Sequence, residues 1–547
     1  MLDITNKINK KMSEVNLDAL IQREDLEIKQ SKQQGQNVPS IYLSALKKED
    51  FFFENLRKPD FQRETCEWTP DRVYNLVLSF VNGDLIPAMI LWRGEGYNFI
   101  IDGAHRISAL IAWINNDYGD KSISKAFFGE IDPTQMELGE QTRKLIDKNI
   151  GSFEEINWAN QNQAKADPAK LAIAQRLSSM PIYLQWVPGD ANNAEKSFFK
   201  INESASPIDK TEKRLLKARK KPCAIAARAI IRAGTGHKYW DKFNTDNQTK
   251  IEELSKEINK WLFDPKLKTP VKTLDIPLAG KSYNAQTQEL VLNIVNFSND
   301  IKIIDKSAIK DDEDYPESSF PDESGDGSDT ITYLGKTKKV LSNITGVQSS
   351  SLGLHPVIYF YSTQGRYQIT AFMAILYLIK DYEDRKQLKK FTKVRKHFEE
   401  FIWKHKALVN QSQTQWGSGA KGYVQLSGLF NFIITAIQDG KEESDILQMM
   451  DKSKMYSFFK AGVRELNPQH RKTFSNETKS EVFLREAIAT ALRCNICGGF
   501  MHTNSIQIDH IDTKEGGGNG NADNGQLAHP YCNSIRKDLI ADGFYTP

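Results

Sequence analysis

Two pairs of potential metal ligands stand close to the C-terminus of the chain. Cys494 and Cys497 form a C-x2-C pair, and His529 and Cys532 form an H-x2-C pair after a gap long enough for a hairpin. Thiolate sulfur and imidazole nitrogen are the usual ligands of tetrahedral zinc. Because four protein ligands leave no open coordination position, the spacing predicts a structural Zn²⁺ that stabilises a small fold.

The segment between the two pairs carries a second set of polar residues. The alternating pattern of Ile506–His510 predicts a short strand that ends on Asp509 and His510. An imidazole with an ordinary pKa near ~6.5 can act as a neutral base. Carboxylate and amide oxygens, here those of Asp509 and Asn533, suit Mg²⁺ or Mn²⁺. Phosphodiester hydrolysis needs such a base and a cation that neutralises charge on the scissile phosphate.

This arrangement resembles the HNH, or ββα-metal, nuclease family, in the subgroup where zinc pairs flank the catalytic hairpin. The resemblance implies that His510 is the general base, that Asp509 and Asn533 bind the catalytic metal, and that Asn524 orients the base. A zinc ribbon that only binds nucleic acid is the alternative interpretation, but it has no need for both Asn residues.

A second motif lies within residues 97–114, where a predicted strand, an Asp102-Gly103 turn and a helix follow one another. A helix start presents backbone N–H groups to an anion, and Gly103 permits close approach. His105 and Arg106 can then reach a phosphate. The alternative is a simple turn with Arg106 in a surface ion pair.

The surroundings of this motif resemble the ParB-related domain of the GmrS type over about residues 40–225. The matching positions are Gln62, Arg63, Trp68, Pro87, Asp102, Gly103, Arg106, Asn202 and Glu212. The form DGAHR also resembles the DGQHR motif of phosphorothioation-associated proteins. In these relatives the region binds or hydrolyses nucleotides, or senses modified DNA. The nucleotide-binding residues that the resemblance implies are Gln62, Arg63, Asp102, Gly103, His105 and Arg106.

The length of 547 residues is too great for one hydrophobic core, so we expect a multidomain α+β protein. Strand and helix patterns alternate in the first part, and long helices dominate the middle. Asp311–Asp329 holds nine acidic residues and no basic ones, which predicts a disordered linker or a long loop. The predicted divisions are an N-terminal helical extension at 1–39, a ParB-like α/β domain at 40–225, a helical extension at 226–308, an acidic linker or loop at 309–330, a helical domain at 331–485 and a zinc-stabilised ββα-metal HNH domain at 486–547.

Charge and cysteine usage narrow the setting of the protein. The net charge of +3 is small, but two stretches are strongly basic. Lys210–Lys221 contains seven Lys or Arg residues and Arg385–Lys406 contains nine. Each stretch is interpreted either as a solvated helix face or as a surface that contacts phosphates. Arg536 and Lys537 are expected to contact DNA phosphates. The absence of a secretion signal or a long apolar run, with an odd cysteine number, predicts a reducing cytoplasmic compartment and no membrane partner.

The sequence therefore predicts a metal-dependent DNA endonuclease regulated by its N-terminal domain, as in bacterial restriction and anti-phage defence. Two alternatives stay open: a non-catalytic DNA-binding regulator that senses a nucleotide or modified DNA, and an enzyme that acts mainly as an NTPase. The expected cofactors are structural Zn²⁺, catalytic Mg²⁺ or Mn²⁺ and, where the DGAHR motif binds it, an NTP. The expected partner is DNA, with modified or phage DNA included, and a homo-oligomer is compatible with the sequence.

Overall fold

The chain folds into two compact units in the computed structural model. The first comprises Met1–Arg219 with Thr235–Tyr239, and the second comprises Lys220–Gly234 with Trp240–Pro547. The residues that the structure describes are 14–24, 37–60, 62, 65, 68–94, 96–205, 210–282, 285–305, 315–462 and 473–547. Within them, no helix has the length and apolar character needed to cross a membrane. The multidomain α+β class is confirmed.

The first unit is built on a six-stranded mixed sheet. Its strands are β1 (Arg23–Glu24), β2 (Ser40–Ile41), β3 (Leu56–Pro59), β4 (Met89–Arg93), β5 (Asn98–Asp102) and β6 (Ile182–Trp186). Their order is β1-β3-β5-β4-β6-β2, with β4–β5 and β2–β6 antiparallel and the other pairs parallel. Its helices are α1 (Phe51–Glu54), α2 (Pro70–Asn82), α3 (Ala104–Asn115), α4 (Ser122–Phe128), α5 (Pro133–Asn149), α6 (Phe153–Gln161), α7 (Pro168–Leu177), α8 (Ala191–Ala205) and α9 (Lys210–Lys217).

Helices cover both faces of this sheet, because alternate residues of its central strands are apolar on either side. In β5, Ile100 packs into a core shared with α2 and α3. Phe99 and Ile101 enter a second core that contains Phe198 of α8 and Leu216 of α9. The strand is therefore buried on both faces, and its C-terminal end delivers Asp102 to the start of α3.

The first residues described do not form the predicted helical extension. Val15 and Leu17 are buried in the core of the first unit, and Arg23 pairs with Lys58 in the parallel β1–β3 ladder. The buried Asp18 accepts a hydrogen bond of 2.7 Å from the Lys58 ammonium. The closely spaced apolar residues and the buried Asp18–Lys58 ion pair hold residues 14–24 against the sheet. Positions 1–13 and 25–36 lie outside the described residues.

The second unit is mainly helical up to its C-terminal tail, as predicted. Its helices up to the tail are α10 (Pro222–Ile231), α11 (Thr245–Phe263), α12 (Ala285–Ser298), α13 (Ser328–Ser342), α14 (Pro356–Tyr359), α15 (Ile369–Asp384), α16 (Leu388–Lys404), α17 (Ala407–Trp416), α18 (Tyr423–Gln438), α19 (Glu443–Lys452) and α20 (Asn476–Ala489). The tail adds the antiparallel hairpin β7 (Gln507–His510) and β8 (Gly525–Ala528), followed by α21 (Pro530–Ser534) and α22 (Arg536–Ala541).

The described part of the acidic stretch is a packed loop rather than a disordered linker. Glu317 is fully buried and accepts a hydrogen bond of 2.6 Å from the side chain of Asn296. Glu323 accepts a bond of 2.7 Å from the backbone N–H of Thr330 in the first turn of α13. Composition alone leaves both a disordered linker and a long loop open, because it cannot show that these carboxylates are satisfied by an amide and by a helix N-terminus. Residues 306–314 lie outside the described residues.

Candidate active site and metal centre

The four predicted zinc ligands come together in the tail. The ligand atoms of Cys494, Cys497, His529 and Cys532 all lie within 4.8 Å of one another, and all four residues are buried. Hydrogen bonding to Cys494 raises the pKa of both the Cys497 and the Cys532 thiol. Deprotonation of all three thiols at this separation, as metal binding requires, therefore calls for a compensating cation. The donor set and its packing suit a metal such as zinc.

The imidazole of His529 is oriented as a metal ligand requires. Its Nδ1 lies 3.4 Å from Cys497 Sγ and 3.8 Å from Cys532 Sγ. Its Nε2 lies 3.0 Å from the carbonyl oxygen of Phe500, which can accept the ring N–H. A hydrogen bond from the non-ligating nitrogen fixes both the tautomer and the ring orientation.

A buried ion pair from α16 supports this cluster. Arg395 and Glu399 are both fully buried, and the Arg395 Nε donates a bond of 2.6 Å to Glu399 Oε1. The Arg395 Nη1 lies 3.3 Å from His529 Nδ1. Glu399 Oε2 accepts a bond of 2.6 Å from the Phe500 N–H, and Glu399 Oε1 accepts a bond of 2.8 Å from the Tyr359 hydroxyl. The helical part of the unit thus holds the loop around Phe500, next to the four ligand residues, from outside the tail.

Sequence reasoning missed this pair, although the sequence contains a signal for it. The charge pattern of Arg385–Lys406 predicts a solvated or phosphate-contacting helix face. In α16, however, Arg395 follows the spacing of the buried residues Phe391, Phe398 and Ile402. A charged residue on the apolar stripe of an amphipathic helix indicates that it has a buried partner.

The hairpin holds Asp509 in a nearly buried position. Asp509 is opposite Gln526 in the β7–β8 ladder, and its Oδ2 accepts a bond of 3.0 Å from Gln526 Nε2. The Arg536 Nε lies 3.4 Å from the same oxygen, close enough for an ion pair. Arg536 is itself buried and also donates to the carbonyl oxygens of His510 and Ile511. Arg536 therefore stabilises the hairpin from inside. Lys537, the other residue predicted to contact DNA phosphates, is exposed.

Asn533 lies on the same side of β7 as Asp509. The Asn533 Nδ2 donates a bond of 2.9 Å to Gln507 Oε1. Gln507 and Asp509 are two positions apart in the strand and so project to one face. The structure thus brings the two predicted ligands of the catalytic metal to a common face, and Gln507 and Gln526 orient them.

His510 and Asn524 are not hydrogen-bonded to each other. Among the described residues the half-buried His510 imidazole has no hydrogen-bond partner, so its ring nitrogens are available. The Asn524 side chain instead accepts a bond of 2.7 Å from the Asp512 N–H and donates one of 2.7 Å to the Asn519 carbonyl oxygen. Asn524 closes the loop that follows His510.

The DGAHR motif forms the predicted strand, turn and helix in the first unit. Gly103 has φ +97°, and a Cβ there would lie 2.5 Å from Met89 Sδ, so the turn requires glycine. Arg106 donates a bond of 2.5 Å to Asp102 Oδ2 and one of 2.6 Å to the Pro87 carbonyl oxygen. Both charged residues of the motif are therefore engaged with each other.

Trp68, which precedes the DGAHR motif in the chain, contacts this turn through an aromatic ring. The rings of Trp68 and His105 stack with centroids 5.7 Å apart. Gln62 is 5 % exposed, and its Oε1 has no hydrogen-bond partner among the described residues. Arg63 lies outside the described residues. The structure thus links Trp68 to the motif and leaves a buried polar atom at Gln62.

Comparison with known protein families agrees with both motifs. Residues 43–220 match the family model of the GmrSD restriction endonuclease N-terminal domain. Residues 494–538 match the family model of the HNH endonuclease. No curated protein and no solved structure matches the chain. The chain therefore joins a GmrSD-type N-terminal domain to a C-terminal HNH endonuclease domain, which is the architecture of a restriction-type nuclease.

Proposed function

We propose that the HNH domain hydrolyses the phosphodiester backbone of DNA with His510 as the general base. The observation that carries this proposal is the available imidazole of His510, directly after the fixed carboxylate of Asp509, in a hairpin that matches the HNH family. At neutral pH such an imidazole can accept a proton from water that attacks the phosphorus atom. Arg536 bonds to the carbonyl of His510 and so limits movement of the base.

Asp509 and Asn533 are proposed to hold Mg²⁺ or Mn²⁺. Asp509 Oδ2 accepts from Gln526, but its Oδ1 has only a long contact of 3.5 Å to Arg536, and the Asn533 amide is bonded through its nitrogen. One oxygen of each side chain is therefore open to a hard cation. A divalent cation at this position would neutralise charge that develops on the phosphate.

Asn524 and Lys537 take supporting roles in this proposal. Asn524 bonds to both the N–H and the carbonyl oxygen of Asp512, so it positions His510 through the loop and not by direct contact. The Lys537 Nζ lies 2.7 Å from Glu515 Oε2, and both side chains are exposed. A DNA phosphate can therefore take the place of the Glu515 carboxylate as the partner of Lys537.

We also propose that the first unit, with the ParB-related fold, regulates cleavage by sensing a nucleotide or modified DNA. The Asp102–Arg106 pair and the buried, unpartnered Oε1 of Gln62 support this role, because engaged charges and an unsatisfied polar atom in one signature are groups that a ligand can reorganise. The same proposal includes NTP hydrolysis by the first unit. It also includes the formation of homo-oligomers, a cytoplasmic location and a role of the protein in anti-phage defence.

The nuclease proposal is tested by plasmid cleavage with the full chain in Mg²⁺ and in Mn²⁺. We expect His510→Ala to lower the rate at least a hundredfold, since general-base catalysis contributes about 10²–10⁴, while zinc content and thermal unfolding stay unchanged. His397→Ala is the matched control, because His397 is an exposed histidine of α16. Cleavage by His510→Ala at the wild-type rate would remove His510 from the mechanism. Salt-sensitive DNA binding without cleavage by the wild type would favour the non-catalytic regulator.

The regulatory proposal needs a second assay. Cleavage of unmodified and modified phage DNA is compared with and without each NTP. We expect that at least one of these conditions changes the rate, and that Arg106→Ala abolishes the change. A rate that is independent of every nucleotide and modification would contradict regulation and leave the role of His510 unaffected.

A further inference from the structure

The carboxylate of Asp509 is held by two buried side chains, Gln526 and Arg536. The Gln526 Nε2 donates a bond of 3.0 Å to Asp509 Oδ2. The Arg536 Nε lies 3.4 Å from the same oxygen. The direction in which Asp509 presents its other oxygen, Oδ1, therefore depends on how these two side chains are themselves held.

Tyr545, in the segment that follows α22, contacts both of these side chains. Its hydroxyl donates a bond of 2.8 Å to Gln526 Oε1. The guanidinium carbon of Arg536 lies 5.7 Å from the centroid of the Tyr545 ring, which is within the range of a cation–π contact. Tyr545 lies outside residues 494–538, the part of the chain that matches the HNH endonuclease family model. The family match therefore assigns no role to this tyrosine.

The segment that carries Tyr545 is fixed to the rest of the domain. The N–H groups of Phe544 and Tyr545 donate to the Leu539 carbonyl oxygen over 3.0 and 3.3 Å. Both aromatic side chains pack against the apolar core that contains Leu539. Tyr545 is half-buried as a result. Backbone bonds and packing thus hold the hydroxyl at the place where it meets Gln526.

The hydrogen-bonding chemistry of three groups sets the direction of the Gln526 amide. An ionised carboxylate only accepts hydrogen bonds, so the amide nitrogen must face Asp509. The amide oxygen then faces Tyr545, whose hydroxyl must be the donor. Without that hydroxyl, the buried Gln526 Oε1 loses its donor, and the amide is no longer kept from turning its oxygen towards the carboxylate. The Tyr545 hydroxyl therefore maintains the bond from Gln526 to Asp509.

The other proposed metal ligand, Asn533, has a comparable arrangement. The Asn533 Nδ2 donates a bond of 2.9 Å to Gln507 Oε1, and the Gln507 Nε2 donates one of 2.9 Å to the Val347 carbonyl oxygen. A glutamine amide bonded at both ends thus orients each of the two ligands. For Asn533 the far end of the amide is fixed by the backbone, whereas for Asp509 it is fixed by the side chain of Tyr545.

We propose that Tyr545 is a positioning residue of the nuclease, which acts through Gln526 to hold the Asp509 carboxylate for binding of Mg²⁺ or Mn²⁺. This role rests on the proposed function, in which Asp509 is a metal ligand. The hydroxyl contacts neither the cation nor the DNA and sets the affinity of the site for the cation. Groups that hydrogen-bond directly to a metal ligand change metal affinity about 10–100-fold. Tyr545, one bond further away, should contribute less.

Mn²⁺ binding to the full chain tests this role. Free Mn²⁺ is measured by electron paramagnetic resonance during a titration, and plasmid cleavage is measured over the same range of Mn²⁺ concentrations. We expect Tyr545→Phe to weaken Mn²⁺ binding about three- to tenfold, the value of one neutral hydrogen bond. The rate at saturating Mn²⁺ and the zinc content should stay at the wild-type level, because Phe keeps the ring beside Arg536. A purely structural role would instead lower the unfolding temperature and leave Mn²⁺ affinity unchanged.

Gln526→Met tests the route by which Tyr545 acts. This change should weaken Mn²⁺ binding about 10–100-fold, and Tyr545→Phe added to it should cause no further loss, because the hydroxyl acts through the amide. Losses that add in the double variant would overturn the route through Gln526. Tyr377→Phe is the matched control, since it removes an exposed hydroxyl from α15, and it should leave Mn²⁺ binding unchanged.

Asp509→Ala separates the role of Tyr545 from the proposed function. Mn²⁺ binding by Asp509→Ala at the wild-type affinity would remove the proposed metal site, and the role of Tyr545 with it. Loss of the site in Asp509→Ala together with wild-type affinity in Tyr545→Phe would overturn the role of Tyr545 alone. Weaker Mn²⁺ binding by Tyr545→Phe at unchanged zinc content and unfolding temperature supports that role.

Discussion

The DGAHR turn of the first unit and the Cys₃His cluster of the second unit, formed by Cys494, Cys497, His529 and Cys532, differ in where their polar groups find partners. In the turn, Asp102 and Arg106 are four positions apart, and both are partly exposed. In the cluster, His529 is completely buried and is contacted by Arg395, which is 134 positions earlier in the chain. The ion pair of the turn is formed within four positions, whereas the cluster depends on a distant helix.

This difference determines how the two regions should respond to substitution. A partly exposed ion pair contributes little to stability because solvent screens it. A buried pair is costly to break because one charge is left without compensation. A metal ion bound by the Cys₃His cluster would also couple metal binding to folding. Substitutions should therefore affect stability strongly around the cluster and weakly around the turn.

The largest effect is expected from removal of a zinc ligand. Cys532→Ser should abolish zinc binding and unfold the hairpin, because structural zinc contributes about 10–16 kcal/mol to comparable small folds. The measurements are metal content by atomic absorption and plasmid cleavage. Cys223→Ala, which changes another buried cysteine of the same unit, should keep the zinc. Full zinc content in Cys532→Ser would exclude the predicted ligand set.

Breaking the buried ion pair should have the next largest effect. Arg395→Met leaves the buried Glu399 carboxylate without a cationic partner among the residues that the structure describes, with bonds from the Tyr359 hydroxyl and the Phe500 N–H remaining. The change should cost about 3–5 kcal/mol of unfolding free energy. Zinc should also be lost faster to a chelator, because the loop around Phe500 loses its support. Lys390→Met, at an exposed position of the same helix, is the control. Equal zinc loss from the two variants would show that α16 does not support the cluster.

The same distinction explains what could be predicted from the sequence. The zinc ligands, the hairpin and the strand-turn-helix around Asp102 and Gly103 follow from short spacings, and the structure and the family matches agree with them. The contacts of Arg395 with His529 and of Glu399 with Phe500 join residues more than a hundred positions apart. The local pattern of α16 indicates that Arg395 has a buried partner, but it does not specify these distant contacts.

Side-chain partners were the least predictable feature of the site. Arg536 was expected on DNA because it is basic and follows Asn533, but its guanidinium bonds to the backbone of the hairpin. Asn524 was expected beside His510, but it bonds to the loop. The residue types were informative about chemistry, while the choice among several possible partners depends on the folded backbone.

The buried Lys406, which follows α16, should make the unfolding free energy depend on pH. The expected effect is smaller than that of Arg395→Met and larger than that at Asp102. Burial lowers the pKa of Lys406 to about 7, and its ammonium donates to the Ile358 carbonyl oxygen. Above pH ~7 and below the unfolded pKa of ~10.4, the unfolded chain binds more protons at this residue, so stability rises with pH. The unfolding free energy of the wild type should increase by up to about 1.4 kcal/mol per pH unit from about pH 7 to about pH 9, relative to Lys406→Met. Equal pH dependence of the two proteins would show that Lys406 stays charged.

The smallest effect on stability is expected at the turn. Asp102→Asn removes one charge from the Asp102–Arg106 pair but keeps its shape, and Arg106 retains its bond to the Pro87 carbonyl oxygen. The unfolding free energy should fall by less than about 1 kcal/mol, and this loss should shrink as salt is added. Asp451→Asn, in the exposed pair with Lys460, provides a reference for a purely surface interaction. A loss at Asp102 as large as that at Arg395 would mean that the turn, like the cluster, depends on charges that solvent does not reach, and the contrast between the two regions would then no longer hold.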